Sequence, residues 1–195
     1  MKIVVILGST RTKFRLGERV AKWVMNETKK YFKAEFTLLD LREYNLPFFD
    51  EEEGPRGNKD RHPAENVKRW IDDIASGDGY IFITPEYNEG PSAALKNAID
   101  FIRHEADRKP AVFIGYSDGA NGGMYAPMQL RVNVSEVGMV ALKTQQIILS
   151  AQKKLNEEGV AQAEHKESLE KRFARLATEI IWFTDTLKTA REKNS

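Results

Sequence analysis

Five short apolar runs rich in β-branched and aromatic residues recur along the chain, each followed by a stretch of helical periodicity, and no other feature constrains the fold as tightly. KIVVIL (2–7), FTLLDL (36–41), YIFIT (80–84), AVFIGYS (111–117) and QQIILS (145–150) read as strands. Their hydrophobicity is continuous rather than alternating, which means that both faces of each strand are covered. The first helix is read over 17–32, with Val20, Trp23, Val24 and Phe32 at helical spacing, and the second begins at Pro63 and stops near Gly77. Helices are also expected over 92–103, from about 122, and in a long terminal segment from about Glu164 to Arg191. Strands that alternate with helices are joined in parallel through right-handed crossovers. The expectation is an α/β three-layer sandwich in a single domain spanning residues 1–195.

Five strands favour the flavodoxin-like order 2-1-3-4-5 over a six-stranded dinucleotide fold. In such sheets a ligand lies beyond the carboxyl ends of the strands, where the strand order reverses, so the loops after the first, third and fourth strands should converge. Thirty basic residues against twenty-nine acidic give a net charge of +1, too little for a global field that would draw nucleic acid or an anionic membrane. The absence of cysteine excludes disulfides, thiolate metal sites and cysteine nucleophiles. The first apolar run is too short for a signal-peptide core, and no window reaches the length of a membrane span, so a cytoplasmic protein is expected.

The first loop, GSTRTKFRLG (8–17), meets neither nucleotide-loop pattern: a Walker loop needs glycine at Lys13, and a dinucleotide fingerprint needs glycine at Thr10. It offers the hydroxyls of Ser9 and Thr10, the guanidinium groups of Arg11 and Arg15, and backbone amides ahead of a helix N-terminus. That set suits a terminal phosphate, although a solvated basic turn would read the same way. In the third loop, Pro85 fixes the direction in which the chain leaves its strand, Tyr87 supplies a flat face, and Asn88 supplies both donors and acceptors. Together they suit a planar heteroaromatic ring; taken singly, a tyrosine covering core and an asparagine closing a turn are the ordinary readings. Glu86 has no evident role. In the fourth loop, Gly119, Gly122 and Gly123 allow positive φ and close approach, and Ser117 and Asp118 can bond polar ring edges. His62, His104 and His165 stand in charged helical or loop contexts, with no triad or metal-ligand spacing around them.

GSTRTKFRLGERVAKWV, PEYNEGPSAALKNAIDF and GYSDGANGGMYAPMQLR resemble the three signature segments of the NADPH-dependent FMN reductase family, flavodoxin-like quinone, azo-dye and chromate reductases. Pro85-Glu86-Tyr87-Asn88, followed by Pro91 and Leu95-Lys96-Asn97, is the most specific part. The first loop departs from the commoner family form, which has a serine where this chain reads Phe14 or Arg15. The resemblance implies bound FMN, with its phosphate among Ser9, Arg11, Arg15, Leu16 and Gly17, and its ring against Pro85, Glu86, Tyr87 and Asn88. Ser117 and Gly119 would lie near the opposite edge. No side chain need then be catalytic, because the flavin carries the chemistry from NADPH or NADH to a quinone or similar small acceptor in ping-pong fashion. Homodimers or homotetramers are implied as well. The alternative is an FMN-binding electron carrier or regulator without steady turnover, against which the near-neutral charge argues, since carrier flavodoxins are strongly acidic.

Two regions remain. The loop 48–63 reads as solvated and mobile, a lid over the site or a contact for NADPH through Arg56, Lys59 or Arg61. The terminal helix places Leu169, Phe173, Leu176, Ile180 and Phe183 on one stripe, widened by Ile181 and Trp182. A stripe wider than one sheet face needs, together with Phe101 and Ile102, suggests a subunit contact.

Overall fold

The computed structural model of the chain describes residues 1–193 apart from 59 and 121. Five parallel strands, β1 (Lys2–Leu7), β2 (Glu35–Asp40), β3 (Gly79–Pro85), β4 (Pro110–Tyr116) and β5 (Val140–Ile148), form one sheet in the order β2-β1-β3-β4-β5. This is the order expected from the alternating pattern. The helices are α1 (Leu16–Thr28), α2 (Glu65–Ala75), α3 (Ala93–Asp100), α4 (Tyr125–Glu136), a single turn α5 (Ala151–Lys154) and α6 (Ala163–Lys193), with a 3-10 turn at Leu41–Glu43.

The pleat of β1 shows why its hydrophobicity runs unbroken. Ile3, Val5 and Leu7 point into a cluster with Val20, Trp23 and Val24 of α1 and Phe173, Leu176 and Ile180 of α6. Val4 and Ile6 point to the other side, among Val67, Trp70 and Ile74 of α2 and Leu95, Ala98 and Ile99 of α3. Every residue of β3 and β4 is buried. Helices on both faces exclude water from both sides of the sheet, and alternating residues supply the two cores.

Several boundaries differ from expectation for local reasons. The first helix ends at Thr28, so Phe32 lies outside it and is 95% exposed rather than part of an apolar stripe. β5 begins at Val140, where Lys143 and Thr144 break the apolar run that marks only its second half. The turn α5 and the 3-10 turn lack any periodic signal because they are shorter than a helical period can reveal. Phe101 and Ile102 are 2% exposed within the α2–α3 core, with Phe101 edge-on to Phe49 at 5.3 Å, so they are not free to meet another subunit. Along α6, Leu169, Phe173, Leu176 and Ile180 are buried, Ile181 and Phe183 are half-buried, and Trp182 is exposed.

The loop 48–63 is held at several points. Asn97 on α3 accepts from the Phe49 amide at 2.8 Å and donates to the Pro47 carbonyl at 2.7 Å, which explains the asparagine of the LKN segment. Arg61 bonds both oxygens of Glu51 and the Phe101 carbonyl, and Arg56 pairs with Asp107 beside His104. Arg56 and Arg61 are therefore committed to partners within the fold; Lys59 lies outside the described residues.

Candidate active site

The loops after β1, β3 and β4 converge, as the strand order requires, on a cavity of about 870 Å³. Ser9, Arg11, Arg15 and Leu16 line it from the first loop, Pro85, Glu86 and Tyr87 from the third, and Ser117 from the fourth. Gly17, Asn88 and Gly119, read from the sequence as contacts, are not among the lining residues.

The first loop is shaped for an anion. No side chain caps α1, and among the described residues the backbone amides of residues 10–15 donate no hydrogen bond to the protein. Exposed amides running into a helix N-terminus favour negative charge. The Arg11 guanidinium makes no hydrogen bond or ion pair among the described residues, leaving its five donors available. Arg15 is arranged differently. Its guanidinium bonds both carboxylate oxygens of Asp40 and the carbonyl of Ser9, while its Nε is buried without a partner.

Gly17 belongs to the site without touching the space inside it. A Cβ there would come within 2.2 Å of the Tyr116 hydroxyl, so only glycine lets the first turn of α1 lie against the end of β4. Tyr116 is 4% exposed yet lines the cavity, and burial drives its phenol well above the ordinary value, partly countered by the nearby Ser9 hydroxyl. The sequence places it only within the fourth strand, since an aromatic at a strand end carries no signal that separates wall from core.

At the third loop Pro85 ends β3, and the Glu86 amide donates to the Tyr116 carbonyl at 3.2 Å. Tyr87 and Gly90 then exchange backbone hydrogen bonds of 2.9 and 3.0 Å around Asn88 and Glu89, both at positive φ (49° and 63°). That is the signature of a type I′ turn, whose first central position asparagine tolerates well. Asn88 thus closes the turn, and Tyr87, 42% exposed, is left on the cavity wall. The role of Glu86 is now visible: its carboxylate accepts from the amides of Tyr125 (2.6 Å) and Ala126 (3.0 Å), so it caps α4 from the neighbouring loop. Ser92 caps α3 through the Leu95 amide and also donates to the Gly8 carbonyl, tying the first and third loops together.

In the fourth loop Gly123 alone among the glycines named takes positive φ (95°), with the Tyr116 backbone 3.2 Å from where a Cβ would stand. The Gly119 carbonyl accepts from Ser150 and the Ser117 hydroxyl, which shapes the loop rather than the cavity. The remaining wall was not anticipated. Phe14 comes from the first loop, Glu18, Arg19 and Lys22 from α1, and Gln152 and Glu157 from the segment after β5. Arg19 pairs with Glu157 at 3.1 Å across that junction, a tertiary contact over 138 positions that no local pattern announces. His62, His104 and His165 lie outside the cavity wall, and among the described residues no cluster of carboxylates and histidines could hold a metal.

Comparison with known proteins agrees with this geometry. The family model for NADPH-dependent FMN reductases matches residues 1–154, everything up to and including α5. An NAD(P)H-dependent FMN reductase of Schizosaccharomyces pombe is 38% identical over 130 residues, which cover 67% of this chain and 64% of that protein, just under two thirds of its length. An NADPH azoreductase of Bacillus sp. is 32% identical over 149 residues, 76% of each chain. Among solved structures, the flavoenzyme NAD(P)H:(acceptor) oxidoreductase FerB of Paracoccus denitrificans superposes with a TM-score of 0.70 at 24% identity, over 96% of this chain and 97% of its own, and shares the fold. The chain belongs to the NADPH-dependent FMN reductase family.

Proposed function

We propose that this protein is an FMN-dependent NAD(P)H oxidoreductase that takes electrons from NADPH and delivers them to a quinone or similar planar acceptor, donor and acceptor occupying one face in turn. The observation that carries this reading is a single cavity lined both by the first loop, whose amides 10–15 and Arg11 guanidinium have no partner among the described residues, and by the Pro85–Tyr87 corner. The first suits a phosphate and the second a flat ring, which together describe FMN.

FMN supplies hydride acceptance from a nicotinamide and onward electron transfer, chemistry for which the protein need provide only position and electrostatics. Ser9, Arg11 and the amides of residues 10–15 would hold the phosphate. Tyr87 would cover the ring, with Pro85 and the backbone of Glu86 setting its edge. Ser117, on the same wall, would meet the opposite edge. Tyr87 is 42% exposed on the cavity lining, which supports a second planar molecule stacking from that side, and an azoreductase among the relatives supports an aromatic acceptor.

The purified protein should be yellow and should oxidise NADPH in the presence of menadione, with parallel lines in double-reciprocal plots. Protein that is colourless and gains no FMN on incubation would sink the proposal. The alternative of an electron carrier predicts a flavin spectrum but no steady NADPH consumption without a protein partner. For subunit assembly, the exposed Met124, just before α4, and the exposed Tyr125, Met128 and Val132 on one face of α4 support a dimer through that face better than through α3. Sedimentation as a monomer at micromolar concentration would count against it.

A further inference from the structure

We propose that the Arg15–Asp40 ion pair is the positioning element that presets the phosphate loop, so that phosphate recognition in this chain is governed from β2, behind the cavity wall. The inference rests on the reading of the cavity as an FMN site.

Asp40 is the last residue of β2 and stands in register with Leu7, the last residue of β1. Its two oxygens bond Arg15, and one of them also accepts from the Arg42 amide at 2.9 Å, which fixes the carboxylate against the 3-10 turn. The same guanidinium bonds the Ser9 carbonyl. Arg15 itself is the residue before the first turn of α1. One side chain therefore ties the start of the loop, through Ser9, and its end, through its own backbone, to the edge of the sheet. Between those anchors the chain passes through Phe14 at φ +50°, a conformation that a bulky residue holds only where its surroundings over-determine it.

The pair is deeply placed, with side chains 3% and 13% exposed, and Asp40 is held below the ordinary carboxylate range although its burial works in the opposite direction. A fork of this kind demands arginine, because a lysine ammonium cannot bond both carboxylate oxygens and a carbonyl in one plane. With Asp40 matching its charge, Arg15 contributes order rather than a free cation, and the mobile positive charge for a phosphate is left to Arg11. A loop ordered before binding loses less entropy when the ligand arrives, so the pair raises affinity by ordering the loop, its guanidinium already bonded to Asp40 and Ser9.

The test compares FMN with riboflavin, which has the same ring and no phosphate. Dissociation constants of both are measured by fluorescence quenching on apoprotein prepared from wild type, Asp40→Asn, Arg15→Lys, Arg15→Met and the Arg15→Met/Asp40→Asn double variant. The expected result is that each single variant weakens FMN on the order of tenfold or more while riboflavin stays within about twofold, and that the double variant is no weaker than either single. Equal losses for FMN and riboflavin would mean general loosening and would overturn the proposal. So would an unchanged FMN affinity in Asp40→Asn, or losses that multiply in the double variant, which would make Arg15 an independent phosphate ligand. If the Asp40→Asn apoprotein does not melt cooperatively, Asp40→Glu, which keeps the charge and shifts it by one methylene, is judged by the same ratio. Wild type that binds no FMN refutes the site itself, whereas tight wild-type binding with an unaffected Asp40→Asn refutes only the strut.

Discussion

The two ends of the sheet use charged residues in opposite ways. At the amino ends of the strands, Asp78 accepts from the Lys2 amide at 2.8 Å and the Lys188 ammonium at 2.9 Å, with Arg191 at 3.7 Å. Arg191 also donates to the Arg108 carbonyl, and Lys109 donates to the Ala75 carbonyl at the end of α2. Asp78, Arg191 and Lys109 each bond a backbone group there, the last at the end of a helix, and burial lowers the Lys109 pKa to about 8. At the carboxyl ends, Arg15, Glu86 and Ser92 fasten loops to one another, yet the amides of residues 10–15 stay unbonded among the described residues. One end closes the structure; the other holds open a set of donors for something else. The lesson is that density of polar bonds does not mark a site, whereas unsatisfied donors on a well-fastened loop do.

The position where the contrast should break down most severely is Gly17, because it serves fold and site together. Gly17→Val sets two methyl groups where the Tyr116 hydroxyl already stands, forcing α1 off β4. The expected cost is about 3 kcal/mol, seen as a fall in thermal midpoint, together with loss of flavin colour. Tyr116→Phe added to Gly17→Ala removes the atom that a Cβ approaches most closely and should recover part of the loss suffered by Gly17→Ala alone. Failure to recover any of it would show that the glycine is required for another reason.

The same contrast explains what could be read from the chain and what could not. Strand order and layering were legible because covered parallel strands must be apolar on both faces, as Ile3 to Leu7 are. That Ser9, Arg11, Pro85, Tyr87 and Ser117 line one cavity was legible because strand order forces their loops together. What stayed hidden is the direction of each side chain. Arg11 and Arg15 read alike in the loop, yet only the tertiary position of Asp40 decides which one is matched. Asn88 reads either as a ring contact or as a turn closer, and only the folded chain shows it at positive φ in the turn and outside the cavity lining. Glu157 and Gln152 join the wall through a segment more than a hundred residues from the first loop, beyond the reach of any local pattern.

At the closed end, Asp78→Asn should cost stability and leave flavin binding alone. The loss of a charge that bonds an amide and an ammonium should amount to about 1 to 2 kcal/mol at neutral pH. Burial alone would raise the Asp78 pKa, but its bonds to the Lys2 amide and Lys188 outweigh this and hold it below its ordinary 3.8. A carboxyl with a depressed folded pKa contributes stability that is fully present above the unfolded value and disappears as pH falls through the folded one. Wild type should therefore lose stability more steeply than the variant below about pH 4. Denaturant melts between pH 3 and 7 would show it, and identical acid limbs would remove Asp78 from the account. Arg11→Met reverses the pattern at the open end: stability unchanged, FMN about tenfold weaker, equivalent to about 1.4 kcal/mol, and riboflavin unaffected. A fall in melting temperature without that loss of affinity would place Arg11 with the closing residues.

Glu86 should give the smallest effect and is the most discriminating, since it touches both the cavity and a helix cap. Glu86→Gln keeps one carbonyl oxygen for the Tyr125 and Ala126 amides but removes the negative charge facing the N-terminus of α4. Charge at that position is worth a few tenths of a kcal/mol to about 1 kcal/mol, so a drop of that size in stability is expected, with FMN affinity changing less than about threefold. Chemical melts of apoprotein and flavin titration of the same preparations measure the two quantities side by side. If affinity falls while the melt is unmoved, the carboxylate acts on the ligand and the cap is incidental. If stability falls and affinity follows only slightly, Glu86 is the fastener that lets the β3 loop carry Tyr87 at a fixed distance from the β4 loop. In that case Glu86 acts by ordering a loop, as proposed for Arg15 in the first loop.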